Sequence, residues 1–234
     1  MLELCFYLLL AVIVMALGMG FRVAIDRAGI EIERGKRFLY GYWIFIMAWL
    51  VYLSVMVNIG AFKELSRPPS ILLFIILPIF TIIIFFHTAK RFRQIIDGFP
   101  PALAVYLQSF RIFVELLILG VYLKGLGPVE TTFEGRNFDI IAGATAPIIG
   151  WLAYNRKAIS NKVVIAWNII CLLLLANIVF IFNSMILKPQ IWGYEASPIQ
   201  PEFATIPYLY IAAFYMPLAV FLHVMSIRKS RKRK

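Results

Sequence analysis

The stretch Ala102–Leu123, ALAVYLQSFRIFVELLILGVYL, decides the fold. As a helix rising about 1.5 Å per residue it is about 33 Å long, enough to cross a hydrocarbon core of about 30 Å. Its composition is apolar except for Ser109 and the strongly polar Gln108, Arg111 and Glu115. At about 100° per residue Gln108, Arg111 and Glu115 fall within an arc of about 60° on one face. A charge at the centre of a membrane helix costs about 2.5–3.5 kcal/mol on insertion scales. The polar stripe therefore needs partners inside the protein, and it is the first candidate for a functional centre.

Outward from this run the rest of the chain has the same character. The 234 residues are 62% hydrophobic and only 15% charged, with a mean hydropathy of +0.86. A soluble domain of this size carries about 25% charged residues. So much apolar sequence exceeds what one soluble core can bury, and it has to face lipid or other embedded helices. The formal net charge of +11 does not call for nucleic acid. Basic loops on the cytoplasmic side of a multi-pass protein account for it. Cys5 and Cys171 both lie inside apolar runs without metal-ligand spacing, so neither a metal site nor a disulfide is expected.

Apolar stretches of about 20 residues predict seven helices. They run roughly Leu2–Phe21, Phe38–Phe62, Ile71–Thr88, Ala102–Leu123, Asp139–Tyr154, Val163–Leu187 and Ile206–Ile227. The first has no basic leader, carries Glu3 and is followed by Arg22, which argues against a cleaved signal. Seventeen of the 23 basic residues fall in one alternating set of connections, the segments 22–37, 90–101 and 156–162 and the C-terminal tail. Lys63, Arg67, Lys124, Arg136 and Lys188 make up the opposite set. The positive-inside rule then puts the N-terminus outside and the C-terminus inside. Tyr40, Tyr42, Trp43, Trp151 and Tyr154 fit inner aromatic belts, and Tyr208 and Tyr210 an outer one.

The fold class expected is thus all-α: a polytopic membrane protein of the cell membrane (the inner membrane in a Gram-negative source). Residues 1–227 form one seven-helix domain and 228–234 a basic cytoplasmic tail, solvated and facing anionic lipids. The connection Lys188–Thr205, with Pro189, Pro198 and Pro201, should be an ordered coil or a short cap.

Arg111 and Glu115 are spaced i, i+4 and can pair along their own helix, although Arg before Glu is the less favourable order. One carboxylate cannot satisfy all five guanidinium donors, so other helices must supply acceptors. Asn177 sits mid-span in the sixth helix and Asn168 in its inner third. His223 lies in the inner half of the seventh, and Asp139 opens the fifth. Asp139 reads either as a helix cap or as a second anion that reaches Arg111 from an outward-opening cavity. The candidate polar core or ligand site is Gln108, Arg111, Glu115, Asp139, Asn168, Asn177 and His223.

Pro78, Pro147 and Pro217 each sit inside a span, where each removes one backbone hydrogen bond and bends the helix. Freed carbonyls are tolerated only against protein or a water-lined cavity. Gly143 and Gly150, with Ala142, Ala144 and Ala146, give the fifth helix a small-residue face suited to close packing.

His87 and His223 are the chain's two histidines, both near inner ends, and a bis-histidine haem between them is one alternative. Nothing else in the chain supports a cofactor, and a membrane histidine more often makes an interhelical hydrogen bond. Two separated histidines are too few for a zinc hydrolase. There is no Gly-x-Ser-x-Gly elbow and no lysine in the seventh span to hold retinal. Pro189-Gln190 matches a pair seen in small seven-helix carriers, but it lies in a loop.

The segments LQSFRIFVELLILGVYLKGLGP, TFEGRNFDIIAGATAP, Trp167-Asn168 and IPYLYIAAFYMPLAVFLHVMSI cover about the last three-fifths of the chain. Together they resemble a group of uncharacterised bacterial multispanning membrane proteins. That group has Gln-x-x-Arg in one span, Gly-Asp before Gly-x-x-Ala-Pro, Trp-Asn opening the next span, and a late Pro followed by His. The matching residues are Gln108, Arg111, Asp139, Gly143, Ala146, Pro147, Trp167, Asn168, Pro217 and His223. Phe138 stands where the group has Gly, Cys171 and Leu174 where it has Gly and Asp, and Glu115 is not part of its pattern. The resemblance implies the architecture and the choice of residues, not an activity.

Three roles follow from these residues. The leading one is a bundle that binds or transports a small polar or anionic ligand at Arg111. The second is a structural or accessory subunit in which the stripe staples helices together. The third is a haem or quinone carrier at His87 and His223.

Overall fold

In the computed structural model, residues 1–63 and 71–232 are described, and they are all-α with no strand. Arg67 of the outer basic set, and Arg233 and Lys234 of the tail, lie outside the described residues.

The helices are α1 (Leu2–Arg27), α2 (Ile32–Asn58), α3 (Leu72–Thr88), α4 (Lys90–Gly98), α5 (Pro101–Leu123), α6 (Ile140–Asn155), α7 (Asn161–Leu187) and α8 (Ile211–Lys232). Five of them, α1, α2, α5, α7 and α8, are long and apolar enough to cross a membrane. The pair α3 and α4, bent by 68° at their junction, makes a sixth if counted as one span. Helix α6 is apolar but, at about 1.5 Å per residue, only about 24 Å long. The outer faces are apolar too: Leu8, Val12, Met15 and Met19 of α1 are exposed while Phe6, Leu10, Ile13 and Leu17 are buried. A helix apolar all round belongs in lipid or inside a bundle, so the chain is a membrane-embedded helical protein.

Burial ranks the helices. In α8, 67% of the spanning window is buried; in α2, 22%. Helix α8 is the axis and packs against α7, α5 and α3, while α2 lies on the outside against α1. Phe21 of α1 anchors the core, with Phe38, Tyr42, Phe86, Phe99 and Phe221 around its ring.

Each intraspan proline has a π-helical turn beside it: Leu72–Ile76 before Pro78, Ile211–Tyr215 before Pro217, and Trp151–Asn155 after Pro147. Ahead of Pro78 and Pro217 the wider turn relieves the clash of the ring with the carbonyl four residues back. For Pro78 and Pro217 those carbonyls belong to Phe74 and Ala213. Tyr52 donates its hydroxyl to Phe74 O at 2.8 Å, and Trp49 donates its indole N–H to Ala213 O at 3.0 Å. Tyr52 and Trp49 are one turn apart on α2 and stack on each other. The outermost helix thus supplies the donors that two prolines withhold from α3 and α8.

Several expectations need correction. The segment Lys90–Pro101 is not simply a loop, because Lys90–Gly98 is helical and packs against α1. Helices α1 and α2 run on through Arg22, Arg27, Arg34, Lys36 and Arg37, which lie outside the apolar windows. Arg and Lys are good helix formers, so these helices end where the chain turns and not where the apolar run stops. Residues 228–232 of the expected tail are part of a helix. Helix α8 continues to Lys232, Lys232 reaches the Asp97 carboxylate at 2.7 and 2.8 Å, and Lys229 donates to the Asp97 carbonyl. Arg228 donates to His87 O at 2.5 Å.

At the opposite end the connection Lys188–Thr205 is ordered around two 3-10 turns, Pro189–Trp192 and Pro201–Ala204. It is pinned by Gln200 N–H to Leu126 O at 3.1 Å and by Tyr194 to Glu130. Lys124, just beyond α5, bonds to Glu3 and Tyr208 and so ties the start of α1 to this end. The bond to Glu3 is the main reason the Lys124 pKa is raised.

Candidate functional site

A 3-10 turn, Leu107–Ser109, interrupts α5 just before Arg111. Helix α6 presses against the same place. A Cβ on Gly143 would lie 2.7 Å from Ile112 N, so only glycine permits this approach. The contact brings the first residue before α6, Asp139, to the Arg111 side chain.

Arg111 is 2% exposed and Asp139 4%. Arg111 Nε donates to Asp139 Oδ2 at 2.7 Å, and Nη2 meets Oδ1, which makes a two-pronged ion pair between α5 and α6. Arg111 Nη1 lies 2.9 Å from His223 Nε2 on α8. Arginine has no acceptor, so Nε2 must accept. The His223 proton is then on Nδ1, which donates to Asn168 Oδ1 of α7 at 2.8 Å. Asn168 Nδ2 donates onward to Ser226 Oγ at 2.9 Å and to Val164 O at 2.7 Å. The line Asp139–Arg111–His223–Asn168–Ser226 joins four helices.

Gln108 lies on the same face and donates Nε2 to Ala219 O of α8 at 3.0 Å; its Oε1 is buried without a partner. Trp167 borders the line, its ring 5.7 Å from His223 and its N–H on Thr145 Oγ1 of α6.

Six of the seven predicted polar-core residues are buried in this region: Gln108, Arg111, Glu115, Asp139, Asn168 and His223. Two expectations change, for Glu115 and for Asn177, while of the two readings of Asp139 the contact with Arg111 is the one present. Glu115 is not the counter-ion that hydrogen-bonds Arg111. Its Oε2 accepts from Asn137 Nδ2 at 2.5 Å, one turn further along α5, while Asp139 takes the guanidinium. Asp139 makes no side-chain cap bond, because its carboxylate is turned to Arg111. Asn177 lies outside the polar core: it is part-exposed and donates to Arg136 O at 2.9 Å. Mid-span depth placed it correctly along α7 but could not fix which face it occupies.

Sequence reasoning missed Asn137 and Ser226. Asn137 is fully buried and organises the turn into α6, receiving the Asp139 N–H on Oδ1 at 3.0 Å and donating to Thr131 O at 3.0 Å. Its signal was an Asn two residues before the Asp that opens a helix. Ser226 follows His223 by three residues, the spacing that shares a helix face.

The two histidines of the haem alternative stand differently, and both ring nitrogens of His87 are buried without a hydrogen-bond partner. Iron needs a nitrogen lone pair from each histidine, and His223 commits Nε2 to Arg111 and Nδ1 to Asn168. The His87 ring packs against Phe221, 5.0 Å between centroids. Among the described residues no group of three or more His, Cys, Asp or Glu is arranged to hold a metal ion.

Comparison of the chain with protein families, curated proteins and solved structures gives no match.

Proposed function

We propose that this chain is a multi-pass protein of the cell membrane (the inner membrane in a Gram-negative source), with seven crossings, the N-terminus outside and the C-terminus inside. Its role is structural or accessory, and the buried polar line is a staple that fixes α5, α6, α7 and α8 in one arrangement. The observation that carries this is that the Arg111 guanidinium is engaged from two other helices: Nε donates to Asp139, Nη1 to His223, and Nη2 lies against the Asp139 carboxylate. A ligand carboxylate or phosphate that took over the Nε and Nη2 contacts would have to displace Asp139. The basic helix ends on one side of the bundle suit anionic headgroups of the surrounding bilayer.

A second reading has its own observation. Gln108 Oε1 is buried and unpartnered beside the line, and α6 and α8 each carry a π-helical turn, a feature common at functional sites. On this reading a small polar or anionic ligand displaces Asp139 from Arg111 and is bound or transported there. Thermal unfolding of the purified protein with millimolar acetate, phosphate, succinate and glutamate separates the two. The staple predicts no shift in melting temperature. A ligand at one hundred times its Kd would add about 2.7 kcal/mol of stability, and a rise that vanishes in Arg111→Gln would replace the staple with a ligand site.

A further inference from the structure

A second feature of the molecule lies away from the polar line and is unused by it. A cavity of about 860 Å³ opens between α2, the bent pair α3–α4, and α8, with Phe21 of α1 at its floor. Its volume is in the range of small-molecule sites, about 300–1,000 Å³. Along α2 it is lined at helical spacing from Arg34 to Trp49, a distance of about 22 Å. That is longer than one leaflet of a hydrocarbon core about 30 Å thick.

The two ends of this groove differ in chemistry. At one end Arg34, Arg37 and Arg91 line it together. Arg34 donates to Arg91 O at 3.3 Å, and the Arg91 guanidinium lies over the Phe85 and Phe92 rings at 4.9 and 4.6 Å. None of the three guanidiniums pairs with a carboxylate among the described residues. Glu33 is taken by Lys36 at 3.0 Å, and Asp97 by Lys232 and Arg228. Three cations gathered without an anion repel one another, and an anion placed among them relieves that repulsion.

The remaining wall is hydrocarbon and aromatic, including Phe38, Phe45, Ile83, Phe86 and Phe214. Its polar side chains are already committed. Tyr42 donates to Val14 O at 2.6 Å and Trp49 to Ala213 O at 3.0 Å. No free donor is left along its length for a polar solute. Gly41 adds room, since a Cβ there would have nothing within 4 Å.

We propose that this groove is a binding site for one anionic phospholipid, with its phosphate among Arg34, Arg37 and Arg91 and an acyl chain along α2 toward Trp49. A zwitterionic lipid would bring its own cation beside the three guanidiniums, and a small polar anion would leave the apolar wall empty. The groove is concave and bounded by four helices, so the lipid is held as a ligand and not as part of the annulus.

The test uses the full chain purified in detergent with equal amounts of palmitoyl-oleoyl phosphatidylglycerol and phosphatidylcholine, and native mass spectrometry to count retained lipid. Wild-type protein should retain one phosphatidylglycerol with a preference of about tenfold. The Arg34→Gln, Arg37→Gln, Arg91→Gln triple variant should lose that preference. Gly41→Trp should reduce retention of either lipid severalfold by filling the groove, with an unchanged melting temperature showing that it folds. Equal retention of the two lipids by wild type, or a preference that survives the triple variant, overturns the proposal. So does displacement by 10 mM inorganic phosphate, which would make the cluster a site for free anions. If Gly41→Trp does not fold, the triple variant alone decides.

Discussion

The indole N–H of Trp49 ends on the carbonyl of Ala213, the residue four before Pro217 and therefore the one whose usual helical donor the proline lacks. Two helices share one backbone hydrogen bond here, and the helix that supplies the donor is the least buried of the spanning helices. Without α2 the Ala213 carbonyl of α8 would lack the donor that Trp49 gives it.

Trp49→Phe keeps most of the packing and removes the donor. It should destabilise the fold by about 1–3 kcal/mol, the cost of a buried acceptor losing its partner. In a Pro217→Ala background the cost should shrink, because the alanine restores a backbone N–H for Ala213 O. Thermal unfolding of the four proteins in the cycle measures this, and equal costs in both backgrounds would show that the bond does not compensate for the proline.

The Arg111–Asp139 pair predicts an asymmetry. Arg111→Leu strands a buried carboxylate and should cost about 3–5 kcal/mol, whereas Arg111→Leu with Asp139→Leu should lie much closer to wild type. Melting temperatures in detergent give the comparison. A double variant as unstable as the single one would mean that the pair does more than satisfy itself. Glu115→Gln, by contrast, should leave the Arg111 contacts in place, since Asn137 and not Arg111 is its hydrogen-bond partner.

The tautomer of His223 is fixed by Arg111 having no acceptor to offer. Nitrogen chemical shifts of labelled protein should show a neutral ring protonated on Nδ1. In Arg111→Leu that constraint is gone, and a signal from the other tautomer should appear. An Nε2-protonated ring in the wild type would break the line between Arg111 and Asn168.

Gly143 and Gly41 make opposite predictions from the same chemistry. Gly143→Ala pushes a methyl to 2.7 Å from Ile112 N and should cost about 1–3 kcal/mol as overpacking. Gly41→Ala meets nothing within 4 Å and should stabilise by up to about 1 kcal/mol through helix propensity. Side-by-side melts check the sign of each.

The polar stripe of α5 was legible because charge inside an apolar run stands out against a strong background. Asp139, Asn168 and His223 were named as candidates by depth and by the motifs of the resemblance; Asp139 and His223 meet Arg111, and Asn168 reaches it through His223. Asn177 met the criterion of depth and failed, because depth says nothing about the face a residue occupies. The bend after Thr88 and the helix Lys90–Gly98 were hidden for another reason: a basic, mixed segment carries no apolar period to read.

The sequence by itself determined the class of molecule, the approximate limits of its apolar helices, and the existence of a buried charge that requires internal partners. These rest on composition and local spacing, which one chain carries in full. Tertiary structure alone decided that Asp139, 28 residues away, outcompetes Glu115 one turn away for Arg111. It also decided that α2 supplies donors to carbonyls that prolines of two other helices leave without one, and that three arginines from α2 and α4 meet at the mouth of one groove. Each outcome depends on how close two helices approach, and that distance is set by packing, here by a glycine at 143 that lets α6 touch the backbone of α5.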